Sequence, residues 1–124
     1  MKKPAMGRDI VERTFEFAVR IIKLADSLTR RSQIGEKLAS QIVKSGTSIG
    51  ANIEEAQAAE SRADFIHKYK ISLKEARETI YWLRLVVASN LFTEKSIIGL
   101  QAEADEISRV IAQIVINARK KAVT

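Results

Sequence analysis

The chain's single histidine, His67, lies three residues after Asp64, a carboxylate-to-histidine spacing that metal-binding helical bundles use. On a helix, residues at this spacing lie on the same face. A di-iron bundle, however, needs two such pairs and two further inward-facing carboxylates. One histidine and no cysteine cannot supply that ligand set, and no glycine-rich phosphate loop is present. The sequence therefore predicts no metal site and no cofactor.

His67 also completes an Arg-x4-His pattern with Arg62, which resembles the motif of a family of helical RNA-cleaving domains. A histidine and an arginine beside a scissile phosphate can provide acid–base catalysis and charge stabilisation. The motif is short, and Ala63 stands where that family usually has a polar residue. The preferred interpretation is a surface pair at the start of a helix, and RNA cleavage is the alternative.

Carboxylates and guanidinium groups on two predicted helices are a second candidate for catalysis. Glu54 and Glu55 lie on the second helix, and Arg77 and Arg84 lie on the third. Neither a nucleophile with a partner base nor a phosphate loop accompanies them, so we interpret them as an ion pair that fixes the register of the helices. No catalytic residue is predicted, and the sequence favours a protein without enzymatic activity.

The composition excludes several classes of protein. A length of 124 residues fits one domain, and one proline with five glycines argues against a loop-rich β fold. The absence of cysteine excludes a disulfide-stabilised scaffold and a thiol nucleophile. No apolar run approaches the length of a membrane span. We expect a soluble cytoplasmic protein with no membrane partner.

Hydrophobic periodicity predicts the fold. Apolar residues recur at helical spacing over four stretches, about 9–29, 33–60, 62–89 and 93–121. The short connections between them predict an all-α protein, an antiparallel up-down-up-down four-helix bundle in a single domain over residues 1–124. The predicted N-caps of the four helices are Asp9, Ser32, Ser61 and Thr93.

The third and fourth helices carry heptad patterns that predict the core seams. Their members are Ile66, Tyr69, Leu73, Ala76, Ile80, Leu83 and Val87, and then Ile97, Leu100, Ala104, Ile107, Ile111, Ile114 and Ala118. On the second helix, Gly46 and Gly50 fall one turn apart on the buried face. Because glycine is costly inside a helix, we expect a neighbouring helix to pack against bare backbone there.

Two helices carry more apolar surface than a bundle core uses. The apolar arc of the first helix is about twice the width that one bundle requires, and Phe15 and Val19 lie at its far edge. On the third helix, Ile71, Trp82 and Leu85 lie on the side opposite the heptad. Two different patches on different helices predict a head-to-tail contact between copies, and such contacts close into rings of more than two chains.

The excess positive charge collects at one end of the predicted bundle. The net charge is +6, from 21 basic and 15 acidic residues. In an up-down bundle, the two termini and the turn between the second and third helices share one end. The residues of this basic end are Lys2, Lys3, Arg8, Arg62, Lys68, Lys70, Arg119, Lys120 and Lys121. Electrostatic contact with RNA or DNA and a pair of solubilising tails are both open as interpretations.

Three segments carry a family resemblance: Arg8–Ile10, Ser48–Ala56 (SIGANIEEA) and Glu75–Leu83 (EARETIYWL). Over nearly its whole length the chain resembles the bacterial "four helix bundle protein" family. That family includes proteins encoded in intervening sequences of 23S ribosomal RNA genes, and it is related to the accessory variability proteins of diversity-generating retroelements. The resemblance implies a homopentameric ring of four-helix bundles with no established enzymatic activity.

The resemblance also implies partners. The retroelement relatives are basic and bind nucleic acid together with a reverse transcriptase. The partners expected here are further copies of the chain, RNA or DNA, and a reverse transcriptase or another nucleic-acid enzyme. One departure is the stretch Ala56–Ala59. Many members have a glycine after the segment that contains Asn52, whereas alanines favour a longer second helix.

Overall fold

A computed structural model describes residues 6–123, with side chains described from Ile10 to Lys121. This part of the chain forms four helices and no strand: α1 (Met6–Arg31), α2 (Gln33–Ala56), α3 (Arg62–Ala88) and α4 (Glu94–Val123). Each helix packs against the next one in the chain, and α4 also packs against α1. The predicted all-α four-helix bundle is therefore confirmed. Within the described residues, no helix is long and apolar enough to cross a membrane.

The capping residues show where local chemistry sets the helix ends. Ser32 Oγ accepts a hydrogen bond from the Gly35 amide at 3.0 Å, and Ser61 Oγ accepts one from the Asp64 amide at 3.0 Å, as predicted. The prediction for α1 was wrong. That helix begins at Met6, so Asp9 lies inside its first turn and not at the position before the helix.

The second helix ends at Ala56, not at residue 60 as predicted. The backbone amides of Gln57 and Ala58 donate hydrogen bonds to the carbonyls three residues earlier, those of Glu54 and Glu55, at 3.2 and 3.1 Å. Because these bonds span three residues and not four, the chain forms a tight turn here. Alanine permits a helix here, but Ala58 is exposed and gains nothing from packing. The cap at Ser61 starts α3 instead, and a separate turn joins α2 to α3.

The buried face of α3 differs from the predicted heptad because two polar positions are part of it. The Ser72 hydroxyl donates to the Ile49 carbonyl at 2.8 Å, and Thr79 Oγ1 lies 2.9 Å from Ser45 Oγ. These bonds let α2 pack on the side that the apolar pattern assigned to solvent. The fully buried positions are Tyr69, Ser72, Ala76, Thr79, Leu83 and Val86. The predicted seam residues Ile66, Leu73, Ile80 and Val87 are half-buried.

The fourth helix follows its predicted seam closely. Its buried residues are Ile97, Leu100, Ala104, Ile107, Ile111, Val115 and Ala118. Val115 replaces the predicted Ile114, which is half-buried. The connection from α3 is a tight C-terminal turn in which Asn90 takes the left-handed conformation, with φ 60°. The Asn90 amide bonds to the Val87 carbonyl at 3.0 Å and the Leu91 amide to the Val86 carbonyl at 3.2 Å, the Schellman pattern.

Candidate interaction surfaces

The outer side of α1 carries large apolar side chains that the bundle does not cover. Phe15 is 64% exposed, Val19 38% and Ile22 52%. Their spacing of four and three residues places them on one stripe of the helix. Single exposed apolar residues are ordinary, but a contiguous stripe marks an interaction surface. We call these three residues the α1 stripe; the sequence predicted its first two members.

A shallow groove of about 210 Å³ runs beside the α1 stripe, between α1 and α2. It is narrow because the two helices approach closely at Gly50, and Glu54 is its one charged lining residue. The other residues that line it are Thr14, Phe15, Ala18, Thr47 and Ala51. The lining thus combines small residues with one exposed aromatic ring, a composition that suits a side chain from another molecule.

The predicted patch on α3 is less exposed than the α1 stripe. Ile71, Trp82 and Leu85 are all half-buried, because the core face of α3 is rotated toward them. The Trp82 indole N–H donates to Glu78 Oε2 at 3.1 Å, and the ring edge packs against Tyr81 with centroids 5.2 Å apart. Tyr81 is 52% exposed and was missed as a candidate. We call these four residues the α3 patch.

The basic end contains an open cleft of about 560 Å³. It lies between the α2–α3 turn, the first turn of α3 and the last turns of α4. Gln57, Arg62, Phe65, Ile114, Asn117 and Lys121 are among the residues that line it. The lining thus includes two cationic groups, two amides, an aromatic and an aliphatic side chain. We call this feature the terminal cleft.

The structure brings together some of the predicted basic residues and leaves others apart. Arg62 and Lys121 line the terminal cleft, and Lys70, Arg119 and Lys120 are exposed. Lys68 Nζ donates to Glu55 Oε1 at 2.7 Å, and this hydrogen bond and the carboxylate charge raise the pKa of Lys68. Lys2 and Lys3 lie outside the described residues, and Arg8 lies in α1 with its side chain outside them.

Comparison with known proteins adds to this geometry. Residues 8–113 match a family model described as the 23S rRNA-intervening sequence protein. The chain belongs to the 23S rRNA-intervening sequence protein family. It is also similar to a crystal structure of a protein of unknown function from the S23 ribosomal protein family of Bacteroides thetaiotaomicron, at 39% identity. The match covers 90% of this chain and 98% of that one, with a TM-score of 0.83. No curated protein matches the chain.

Arg62 and His67 do not line the same described cleft. Arg62 lines the terminal cleft and His67 does not, and His67 is exposed. Five residues on a helix separate two side chains by about 140° around the axis. Among the described residues, no group of three or more His, Asp or Glu side chains could hold a metal ion.

The ion pairs between the helices differ from the predicted one. Glu55 pairs with Lys68, while Arg77 and Arg84 are exposed, so the register pair expected from α3 arginines was wrong. A bidentate pair joins α1 to α4. Arg13 donates from Nε and Nη2 to the two carboxylate oxygens of Glu103, at 3.2 and 2.9 Å. No sequence pattern links two residues that lie ninety positions apart. This contact could therefore be found only from the packing of α1 on α4.

Proposed function

We propose that this family member is a non-enzymatic protein that assembles into a ring and binds RNA or DNA through its basic end. The resemblance to the four helix bundle family supports a ring of five copies. It also supports a role in the cytoplasm as an accessory factor to a reverse transcriptase or another nucleic-acid enzyme. The observation that carries the proposal is the α1 stripe, three exposed apolar side chains on a helix whose other side is fully used by the core.

The second half of the contact is the α3 patch. The α1 stripe and the α3 patch lie on different helices and have different chemistry, so a copy can join its stripe to the patch of the next copy. Charge favours this pairing: the groove beside the stripe contains Glu54. Lys74 and Tyr81 share the outer face of α3, and both are exposed. A contact between unlike surfaces is head-to-tail and closes into a ring when the rotation permits.

Nucleic-acid binding is supported by charge on the basic end. Arg62, Lys70, Arg119, Lys120 and Lys121 are exposed at one end of the bundle or on the turns next to it. In a ring, the equivalent ends of all copies repeat this charge around the assembly. No groove-reading motif accompanies the cluster, so contacts to phosphate supply the affinity, and binding is tolerant of sequence and steeply dependent on salt.

A salt titration tests the nucleic-acid half of the proposal. Fluorescence anisotropy would measure the affinity of the intact protein for a mixed-sequence single-stranded RNA, and for the matching DNA, across a series of salt concentrations. Reversal of two exposed lysines, Lys120→Glu with Lys121→Glu, should reduce the salt slope by about 2. The matched control is Lys37→Glu with Lys95→Glu, which makes the same charge change at the opposite end.

The same samples separate the proposal from the alternative of RNA cleavage by Arg62 and His67. A cleaving enzyme shortens the RNA over time and loses that activity in His67→Ala, whereas a binding protein leaves the RNA intact in both. Undetectable binding at low salt would leave the basic end as solubilising surface. Cleavage that disappears in His67→Ala would make the protein an enzyme.

A further inference from the structure

We propose that the terminal cleft binds one nucleotide unit, with its phosphate at Arg62 and its base against Phe65. The inference rests on the proposed nucleic-acid function and names the ligand of one site within the basic end. The cleft's volume, about 560 Å³, falls in the range of small-molecule sites. Such sites combine an apolar lining with a few polar groups that fix orientation, and this cleft has both.

The phosphate end of the site is the pair of cationic groups. Arg62 is exposed and forms no ion pair with any described residue. Its planar guanidinium can donate two parallel hydrogen bonds to a phosphate. Lys121 lines the same cleft from α4 and adds a second positive charge. An arginine that forms no ion pair with any described residue, in a chain of net positive charge, favours a ligand that carries negative charge.

The base end of the site is an aromatic surface held in place by the core. Phe65 lines the cleft, and its ring stacks on Tyr69 with centroids 4.5 Å apart and an angle of 28° between the planes. Tyr69 is fully buried, so the stack fixes the orientation of the Phe65 ring. Ile114 adds an aliphatic side chain from α4. Aromatic rings bind bases of any sequence because every base has a flat π-face.

Two amides provide hydrogen bonds for the edge of a base. The Gln57 amide nitrogen donates to the Ile53 carbonyl at 3.0 Å and to the Tyr69 hydroxyl at 3.4 Å, which leaves the Gln57 carbonyl oxygen as an acceptor. Asn117 Oδ1 accepts from Gln113 at 3.0 Å, which leaves the Asn117 amide nitrogen as a donor. Every nucleobase presents both a donor and an acceptor along one edge or another, so one of each on the cleft wall suits a base.

The α4 wall of the cleft lies beyond the family match. That match ends at residue 113, whereas Ile114, Asn117 and Lys121 all follow it. The site is therefore built partly from residues that follow the stretch matched by the family model. A nucleotide unit can come from two sources, the 5′-phosphorylated end of a strand or a free mononucleotide, and both present the same phosphate and base.

Isothermal titration calorimetry on the full chain tests the site with defined probes. Adenosine 5′-monophosphate contains both parts of the ligand, adenosine lacks the phosphate, and ribose 5-phosphate lacks the base. We expect the monophosphate to bind more tightly than either fragment. Arg62→Ala should weaken the affinity for the monophosphate by about tenfold or more. Arg84→Ala, which removes an exposed arginine elsewhere on α3, should leave the affinity unchanged.

A second variant tests the base end. Asn117→Leu should lower the affinity for adenosine 5′-monophosphate but not the affinity for ribose 5-phosphate. Circular dichroism would verify that each variant keeps its helices. Equal affinity for the monophosphate and adenosine, an Arg62→Ala effect no larger than that of Arg84→Ala, or no monophosphate binding at millimolar concentration would overturn the inference.

Titrations with oligonucleotides distinguish a failure of this inference from a failure of the proposed function. If the source is a strand end, a short single strand with a 5′-phosphate binds more tightly than the same strand with a 5′-hydroxyl, and Arg62→Ala removes the difference. Binding of the monophosphate without binding of any strand supports the cleft as a mononucleotide site and contradicts the nucleic-acid function. Strand binding that depends on salt but not on the 5′-phosphate or on Arg62 keeps the proposed function and overturns the cleft.

Discussion

The Ile21 side chain on α1 lies directly against the backbone of Gly46 on α2. A β-carbon placed at position 46 would stand 2.8 Å from Ile21 Cγ2 and 2.9 Å from Ile21 Cγ1, closer than such atoms pack. The same approach recurs one turn later, where a β-carbon at Gly50 would lie 3.2 Å from Thr14 Oγ1. The two helices therefore pack closely along Gly46 and Gly50, with the tighter approach at Gly46.

Gly46→Ala should destabilise the bundle although alanine is the better helix former. Alanine gains about 1 kcal/mol of helix propensity over glycine, but overpacking a fixed core costs about 1–3 kcal/mol. Ile21 is fully buried, so its side chain has little room to move away. The matched control is Gly99→Ala, whose β-carbon would meet only Arg20 Nη2, at 3.5 Å. Urea unfolding should show a lower free energy of unfolding for Gly46→Ala and a higher one for Gly99→Ala. A higher value for both variants would contradict the tight packing at Gly46.

The close packing of α1 on α2 at Gly46 and Gly50 could be predicted from the sequence, whereas the buried face of α3 could not. This difference has one physical cause. Glycine inside a helix carries a cost that needs an explanation, so Gly46 and Gly50 point to close packing. A serine or threonine on a helix is ambiguous, because its polarity suggests solvent while its small size also fits a helix contact. Ser72 and Thr79 can be core residues because their hydroxyls find partners there: the Ile49 carbonyl on α2 for Ser72, and Ser45 Oγ on α2 with the Glu75 carbonyl on α3 for Thr79.

The buried hydroxyl pair between α2 and α3 should behave as one unit. Thr79 Oγ1 lies 2.9 Å from Ser45 Oγ and 2.8 Å from the Glu75 carbonyl, and both side chains are fully buried. Ser45→Ala and Thr79→Val each remove one partner and leave the other less satisfied, which costs about 1–3 kcal/mol. The double variant removes both hydroxyls, so its loss in the free energy of unfolding should be smaller than the sum of the single losses. Additive losses in urea unfolding would show that the pair is not coupled.

Tyr69 should make the bundle less stable at alkaline pH. Burial raises the pKa of the Tyr69 phenol above its usual value, and a hydrogen bond from Gln57 opposes this only in part. Below about pH 10, the phenol is protonated in the folded and the unfolded chain, and its ionisation has no effect. Above that pH, the unfolded chain loses the proton more readily, so the free energy of unfolding falls until the pH passes the folded-state pKa.

Tyr69→Phe should remove this part of the alkaline loss. Urea unfolding between about pH 8 and pH 11 would measure the slope of stability against pH. An identical slope for Tyr69→Phe and wild type would mean that the phenol ionises without leaving its buried position or that water reaches it in the folded state.

The candidate surfaces were only partly visible in the sequence. Phe15 and Val19 could be predicted because the apolar arc of α1 exceeds what a core requires. The terminal cleft could not, because it depends on where α2 stops, and α2 stops at Ala56 against the helix preference of the alanines that follow.

The ring should depend on two unlike surfaces, and two glutamate substitutions can test this directly. Phe15→Glu places a charge in the α1 stripe, and Tyr81→Glu places one in the α3 patch. Both residues are more than half exposed, so neither change disturbs the core of an isolated bundle. Sedimentation velocity should show a closed assembly for the wild type and a monomer for each variant. The control is Ile98→Glu, which alters an apolar residue of α4 that is 54% exposed and lies outside both surfaces; it should leave the assembly intact.

Mixing the two variants distinguishes a head-to-tail contact from a symmetric one. The Phe15→Glu chain keeps its α3 patch, and the Tyr81→Glu chain keeps its α1 stripe. The patch of the first chain can therefore bind the stripe of the second. The resulting pair has no intact surface left to bind a third chain. A head-to-tail arrangement therefore predicts a one-to-one heterodimer from two monomeric variants. In a two-fold arrangement the same patch pairs with itself, so one of the variants dimerises alone and mixing adds nothing. A wild-type monomer at micromolar concentration would refute the interpretation of both surfaces.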